Sequence, residues 1–460
     1  MLERRNHYDL VVIGGGRSGY RAALCARREG AKTALVEKNK LGGHESSSGR
    51  ALIAHLQDYI AEHPADPDYS TTRTWLENNQ KRIAQTYTKE NLEAAHIDTF
   101  FAAATFAGTN RLEVGDTFLS FDKALIATGA QPIVPQIEGI GDVGFISPHE
   151  LFKSPNAPKH ILFLGYTRLA CEQAQICKAL GIKVSIISLS PYLVPREAQE
   201  SSRFIKDLLS DMGVDLYLGA SVHHLENHDG QITAHFDRGQ GVESIEGDQL
   251  VLDWGTLSNH ENLDLEVAGI DFGRNGIFVN DYLQTTNPHV FAAGEACTSF
   301  HIKQADDLMA YIAVGNALNK SQKKFERRAL TRSILTKPEI AHIGLTVTEA
   351  QRQDYEVEIL HIPYAQEAVN NPNGFAQLIL NRQQQGHILG ATLAGPGARE
   401  VIGHFALGLQ NKQNLLDLSK IYYPHDSRSA IIYALRQAFL EKYPISGLKK
   451  WLPRLAGWLP

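Results

Sequence analysis

The stretch DLVVIGGGRSGYRAALCARREGAKTALVE, residues 9–37, decides how the chain begins to fold. Asp9–Ile13 is a short apolar run of the kind that makes a buried strand. It ends in a turn with Gly14, Gly16 and Gly19 in G-x-G-x-x-G spacing, and an Ala-rich helix runs on to about Glu29. A second apolar run, Lys32–Val36, ends at an acid, Glu37. Each glycine has a mechanical reason in such a unit. Gly14 lets the chain turn, Gly16 removes a side chain that would keep a pyrophosphate from the backbone N–H groups, and Gly19 lets helix and strand close up. The helix N-terminus offers partial positive charge to phosphates, and Glu37 can accept hydrogen bonds from a ribose. The glycines alone are weak evidence. Strand, helix, second strand and acid together specify a dinucleotide-binding unit, with a ligand-free βαβ unit as the bland alternative.

The outline returns at residues 159–188, KHILFLGYTRLACEQAQICKALGIKVSIIS, in an eroded form. Gly165, Thr167 and Ala170 stand at the three glycine positions. Alanine at the third is tolerated, but Thr167 puts a branched side chain where a pyrophosphate should approach. The position equivalent to Glu37 is Ser188, followed by Leu189 and Ser190, so neither an acid for a ribose nor an Arg pair for a 2′-phosphate is present. Overpacking costs roughly 1–3 kcal/mol and a lost charged hydrogen-bond partner roughly 1.5–3 kcal/mol. Together they move a micromolar site, at about −8 kcal/mol, towards millimolar. The second unit is expected to keep its fold while NAD(P)H binding is doubtful.

Composition narrows the partners. With 460 residues, two to four domains are expected. An apolar content of 43% and a charged content of 21% are those of a soluble globular protein. The formal charge of −6 provides no basic field, which argues against nucleic acid. No signal-peptide core and no run of 18 apolar residues is present, so a cytoplasmic location is expected. Cys25, Cys171, Cys177 and Cys297 are scattered, without a C-x-x-C pair, which argues for a reducing compartment and against a disulfide framework or zinc site. His223–His224 and His44–Glu45 lack metal-ligand spacing, and no metal is expected.

Four further segments carry a resemblance. FDKALIATGAQP (121–132) is an apolar strand ending in Ala127-Thr128-Gly129, and TTNPHVFAAGEAC (285–297) is another ending in Gly294-Glu295. TKPEIAHIGLTVTEA (336–350) and ILGATLAGPGAREVI (388–402) lie in the expected order behind them. With these segments the chain resembles the class I pyridine nucleotide–disulfide oxidoreductases, the family of lipoamide dehydrogenase, glutathione reductase and mercuric reductase. The resemblance covers nearly all of residues 8–440. It implies an α/β fold with two doubly wound, Rossmann-like nucleotide-binding domains and a C-terminal α+β dimerisation domain. The implied layout is an FAD domain at 1–155 and 277–328, an NAD(P)-like domain at 156–276, an interface domain at 329–444 that forms a homodimer, and a tail at 445–460. The implied FAD contacts are Gly14, Gly16, Ser18, Gly19, Glu37, Lys38, Gly42, Gly43, Ala127, Thr128, Gly129, Gly294 and Glu295. Glu295 stands where the family has Asp, one methylene longer.

The stretch LGGHESSSGRALI (41–53) departs from the family. The family pattern there is G-G-T-C-x-N-x-G-C-x-P-S-K, with one thiol attacking the disulfide substrate and the other exchanging electrons with the flavin. Here Gly42-Gly43 match the start and Ser48-Gly49-Arg50 resemble the end, but the interval is four residues shorter and holds no cysteine. Serine is too weakly acidic to substitute and cannot form the mixed disulfide. Arg50 replaces the family's Lys, and Glu172 matches the Glu that pairs with it, so an Arg50–Glu172 fork beside the flavin is expected, with an exposed Arg50 as the alternative. The family's catalytic His aligns with His425, whose orienting Glu has become Ala430, or Arg428 in a gapped alignment. His425 is either an acid or a plain interface residue.

Two readings follow. One is an FAD-dependent oxidoreductase that passes electrons to a non-disulfide acceptor such as a quinone, metal ion or small organic molecule. The other is a non-catalytic, FAD-bound dimeric scaffold or redox sensor. The tail, KYPISGLKKWLPRLAGWLP, interleaves Lys449, Lys450 and Arg454 with Trp451, Leu452, Leu455, Trp458 and Leu459. Through residues 446–460 it could rest at a lipid headgroup boundary or pack against protein.

Overall fold

The computed structural model describes residues 6–43, 50–62, 68–297, 303–364, 374–384, 386–424 and 427–443. The chain divides into two compact units, residues 1–193 with 208–327 and residues 194–207 with 328–460.

The first unit is built on strand β1 (His7–Ile13), whose Leu10, Val11 and Val12 are fully buried. An apolar run without alternation is what an interior parallel strand requires, because both its faces are covered. β1 pairs in parallel with β2 (Thr33–Val36) on one side and β6 (Thr117–Ile126) on the other. The sheet is completed by β3 (Asp98–Phe100) beyond β2, by antiparallel β4 (Ala104–Gly108) and β5 (Arg111–Val114), and by β18 (Val290–Ala292), parallel to the end of β6. Helix α1 (Arg17–Arg28) connects β1 to β2. Helices α2 (Arg50–Glu62) and α3 (Tyr69–Ala84) share an apolar cluster of Leu52, Ile53, Leu56, Ile60 and Leu76. The described residues between 56 and 97 are thus mainly helical around a short apolar seam. Asp68 starts α3 by accepting the Thr71 N–H at 3.1 Å.

A second parallel sheet runs β10-β9-β8-β14, with β8 at His160–Gly165, β9 at Lys183–Ser188, β10 at Asp215–Leu218 and β14 at Gln249–Asp253. Helix α4 (Arg168–Ala179) connects β8 to β9. An antiparallel meander, β11 (Ser221–His228), β12 (Gln231–Asp237) and β13 (Val242–Gly247), shares a core with this sheet through Leu162, Leu164, Leu225, Phe236 and Leu252. Two short antiparallel ribbons complete the strands of this unit, β7 (Ala130–Pro132) with β15 (Thr256–Ser258) and β16 (Phe272–Gly273) with β17 (Gly276–Ile277), and helix α5 (Lys303–Ala317) follows β18.

The second unit is a five-stranded antiparallel sheet, β19-β20-β23-β22-β21, formed by Arg332–Ile334, Ile340–Gly344, Val357–Pro363, Phe375–Asn381 and His387–Ala394 in chain order. Helices α6 (Ala398–Gln410) and α7 (Ile431–Lys442) bury Val401, Phe405, Ile432 and Leu435 on it. On α7, Ile431, Ile432, Leu435 and Phe439 fall on one face of the helix and are buried. Residues 194–207, which the sequence reading places in the segment 156–276, cluster instead with this unit. Glu197 forms a nearly buried ion pair with Arg332 at 3.4 Å, and Phe204 meets Phe375 edge-on at 6.1 Å.

Candidate functional site

The carboxyl ends of β1, β2, β6 and β18 converge, and most of the expected FAD contacts sit there, where open parallel sheets place their ligands. Gly14 has φ +104°, and a Cβ on it would lie 2.4 Å from the Ala127 carbonyl oxygen. A Cβ on Gly19 would lie 1.8 Å from the Gly14 oxygen. Both positions therefore exclude any side chain. Gly16 differs: a Cβ there would meet nothing within 4 Å, and as N-cap of α1 it receives no side-chain hydrogen bond. With no side chain capping the start of α1 and nothing standing where a Gly16 side chain would be, the turn leaves room beside the helix N-terminus, where an anion is favoured.

The surrounding loops hold this turn in place. Glu37 accepts the Gly15 N–H at 2.6 Å and the Asn39 N–H at 2.7 Å, one on each carboxylate oxygen. Gly42 donates its N–H to the Gly15 carbonyl at 2.8 Å and bridges to Gly16, and Gly43 follows with φ +51°. The Ala127 N–H donates to the Ile13 carbonyl at 2.8 Å. Thr128 donates its hydroxyl to the Asn259 carbonyl at 2.6 Å, and the Asn259 N–H donates to Gly129 at 2.9 Å. Gly294, with φ +70°, approaches Ser18: a Cβ there would lie 2.8 Å from the Ser18 Oγ. Glu295 stands in the following turn, and Lys38 is exposed at the rim.

The second turn has the same outline with different contents. Gly165 abuts Asp253, whose carbonyl oxygen would be 2.1 Å from an added Cβ. Thr167 is the N-cap of α4, and its hydroxyl accepts the Leu169 N–H at 3.1 Å. The Asp253 carboxylate, at the end of β14, inserts into this turn. One of its oxygens accepts the Thr167 hydroxyl at 2.5 Å, the Thr167 N–H at 3.2 Å and the Ala170 N–H at 3.1 Å. Asp253 is 7% exposed; burial pushes its carboxyl up to about 6, against the pull of those hydrogen bonds. Ser188 is buried and donates to the Ser190 carbonyl at 2.9 Å, so it faces its own loop.

Glu172 is fully buried on α4. Arg50 begins α2, which meets α4 in one apolar cluster through Ile176 and Leu169, but its side chain lies outside the described residues, as does all of His425. The Arg50–Glu172 contact and the role of His425 therefore rest on the sequence. The tail, residues 445–460, also lies outside the described residues.

All four cysteines are free. Cys171, Cys177 and Cys297 are buried, and burial raises each thiol, Cys297 to about 12. Cys25 is only half-buried, and burial raises its thiol as well. A thiol held protonated is a poor nucleophile. Among the described residues no group of three or more His, Cys, Asp or Glu is arranged to hold a metal ion, and no helix is long and apolar enough to cross a membrane.

Three contributors escape a reading of the motifs. Asp253 lies 86 residues beyond Thr167, and only its charge at the end of the apolar run QLVLD marks it. Asn259, which fixes Thr128-Gly129, has no periodic signal. Arg17, inside the first glycine turn, donates from Nε and Nη2 to the two Asp307 oxygens at 3.0 and 2.6 Å and so ties the turn to α5.

Comparison with known proteins agrees with this architecture. Residues 8–311 match the pyridine nucleotide-disulphide oxidoreductase family model, and residues 330–432 match that family's dimerisation domain. Mercuric reductase of Staphylococcus aureus is 27% identical over 444 residues, covering 92% of this chain and 81% of that protein. Dihydrolipoyl dehydrogenase of Bacillus subtilis is 26% identical over 440 residues, covering 89% and 94%. The Cu(II) complex of the HOCl-induced flavoprotein disulfide reductase RclA from Escherichia coli superposes with a TM-score of 0.83 at 23% identity, over 94% of this chain and 99% of that one, which is a likeness of fold.

Proposed function

The chain belongs to the pyridine nucleotide-disulphide oxidoreductase family, and from that premise we propose that it is an FAD-dependent oxidoreductase whose electron acceptor is not a disulfide. One observation carries the flavin half of this reading: the N-terminus of α1 is open and uncapped at Gly16. Around it, Gly14, Ser18 and Gly19 shape the turn, and Glu37 still has lone pairs for a ribose. Lys38, Gly42, Gly43, Ala127, Thr128, Gly129, Gly294 and Glu295 line the remaining edge. FAD, when bound, supplies the two-electron chemistry. The chain's part is to orient the dinucleotide on N–H donors and to hold a charge beside its reacting ring, the role assigned to Arg50 and Glu172.

The acceptor half rests on sulfur. Residues 41–53 carry no cysteine, and the four thiols elsewhere are held protonated by burial. A dithiol relay needs a thiolate and a resolving partner, so the acceptor is a quinone, a metal ion or a small organic molecule. The capped second turn favours one further reading, a flavin-bound dimeric scaffold or redox sensor without turnover. On either reading we place the chain in the cytoplasm, with residues 446–460 either at a lipid headgroup boundary or packed against protein.

Purified protein should be yellow, and after anaerobic photoreduction its flavin should be reoxidised by a quinone but not by lipoamide or oxidised glutathione. Reoxidation by either disulfide would overturn the acceptor assignment. A reduced flavin that no acceptor reoxidises would favour the scaffold. Binding of the full chain, and not of one lacking residues 446–460, to vesicles containing phosphatidylserine checks the membrane contact.

A further inference from the structure

The two dinucleotide turns differ in what occupies the helix N-terminus. At α1 the N-cap is a glycine with no side chain bound to it and space beyond. At α4 the positions a phosphate would need are already used. The Leu169 N–H bonds to the Thr167 hydroxyl, and the Thr167 and Ala170 N–H groups bond to one oxygen of Asp253. The next N–H, of Cys171, bonds to the Thr167 carbonyl at 3.3 Å. A carboxylate with donors on a helix N-terminus has the charge, donor set and location of a bound phosphate oxygen.

We propose that Asp253 is a built-in stand-in for a ligand phosphate that closes the second dinucleotide turn, so that the electron donor of this protein is not an NADH or NADPH bound at α4. The inference rests on the reading of the chain as a flavoprotein and deepens it by specifying the donor class. Three features reinforce one another. The Thr167 side chain stands where a glycine would leave room, and its hydroxyl is locked to Asp253 at 2.5 Å. The carboxylate is 7% exposed, so it cannot swing into solvent without leaving buried donors unpaired. Its charge also repels the pyrophosphate it would have to admit. With its carboxyl titrating at about 6, Asp253 is ionised at neutral pH, and Glu172 adds further negative charge to its surroundings. The donor is therefore a molecule that reaches the flavin without using this turn, such as a hydroquinone, a reduced metal complex or another reduced flavoprotein.

Full-length, FAD-loaded protein, titrated anaerobically with NADH and NADPH in a calorimeter, tests the assignment. Wild type should give no saturable heat up to about 1 mM, a concentration at which ordinary micromolar sites are filled. Asp253→Ala combined with Thr167→Gly should bind one of the two with at least about 30-fold higher affinity, since it frees charged-group hydrogen bonds and removes the branched side chain. Asp253→Asn, which preserves shape and removes only charge, should gain less and serves if the double variant does not fold. Micromolar binding by wild type, or isotherms unchanged in every folded variant, would overturn the proposal. The response of the isotherm to the Asp253 and Thr167 substitutions reads the second turn whether or not the flavin reading stands: a colourless protein that refuses added FAD would defeat that reading, and the same titrations of the FAD-free full chain and its variants would still test Asp253.

Discussion

Gly16 and Gly19, three positions apart on one turn, should fail in different ways when alanine replaces them. At Gly19 the new Cβ would overlap the Gly14 carbonyl, a backbone atom that cannot move without opening β1. Gly19→Ala should lower stability by roughly 3 kcal/mol or more, read as a lower thermal midpoint even in the apoprotein. At Gly16 the Cβ enters open space, so Gly16→Ala should leave that midpoint unchanged while weakening FAD binding at least about tenfold, or 1.4 kcal/mol, by titration. Asp253 gives a pH signature. Its carboxyl is raised from 3.8 to about 6, so its protonated form is the one that favours the fold. That contribution, about 3 kcal/mol by the conversion of 1.36 per pH unit, is present below pH 4 and lost as pH rises through 6. Asp253→Asn should abolish this dependence in the first unit's melting curve. The glycine roles were legible because spacing alone expresses them. Asp253 was not, because its partners lie 83 and 86 residues upstream and only the strand order β8-β14 brings them together.

At the scale of elements, two strand–turn–helix units of the same plan were legible, and so was the erosion of the second. The sequence presented Thr167 as an obstruction; the structure makes it also a cap, satisfying one of the donors at the start of α4. The pairing across α2 and α4 was read from the family pattern, and both helices do share a core. If Arg50 and Glu172 meet beside the flavin, Glu172→Gln should shift the flavin absorbance maximum and its reduction potential without loss of FAD. An unaltered spectrum and potential would separate Glu172 from the flavin. In the C-terminal sheet, His342 on β20 faces Thr392 on β23. Its Nδ1 lies 2.8 Å from the Thr392 hydroxyl and its Nε2 lies 3.1 Å from the Gly344 carbonyl. Burial, aided by the charge of Arg332, lowers the imidazole to about 4. The fold therefore favours the neutral ring: the contribution is present above pH 6.5 and lost as pH falls through 4. His342→Asn should lose less stability than wild type between pH 7 and pH 4, measured by urea unfolding.

For the whole molecule, acid acts in opposite directions on the two units, relieving Asp253 in the first and charging His342 in the second. The family's dimerisation domain spans residues 330–432, and equilibrium sedimentation should return twice the chain mass. Disruption of the second unit's core, for example Phe405→Ala at about 3–5 kcal/mol, should lower that mass to one chain before flavin is lost. The division into a dinucleotide-binding part and a C-terminal sheet was legible from widely spaced motifs. The assignment of residues 194–207 to the C-terminal unit was not, since it depends on Glu197 and Phe204 finding partners more than a hundred residues away. The first glycine turn is fastened from three sides: Glu37 on Gly15, Gly42 on Gly15, and the Arg17–Asp307 fork to α5. A receptor whose turn is held by bonds within its own chain needs little further ordering to dock a guest. Removal of the prosthetic group by acid and high salt should therefore leave a shape-retaining apoprotein that recaptures added coenzyme in a single fast phase, with no slow refolding step.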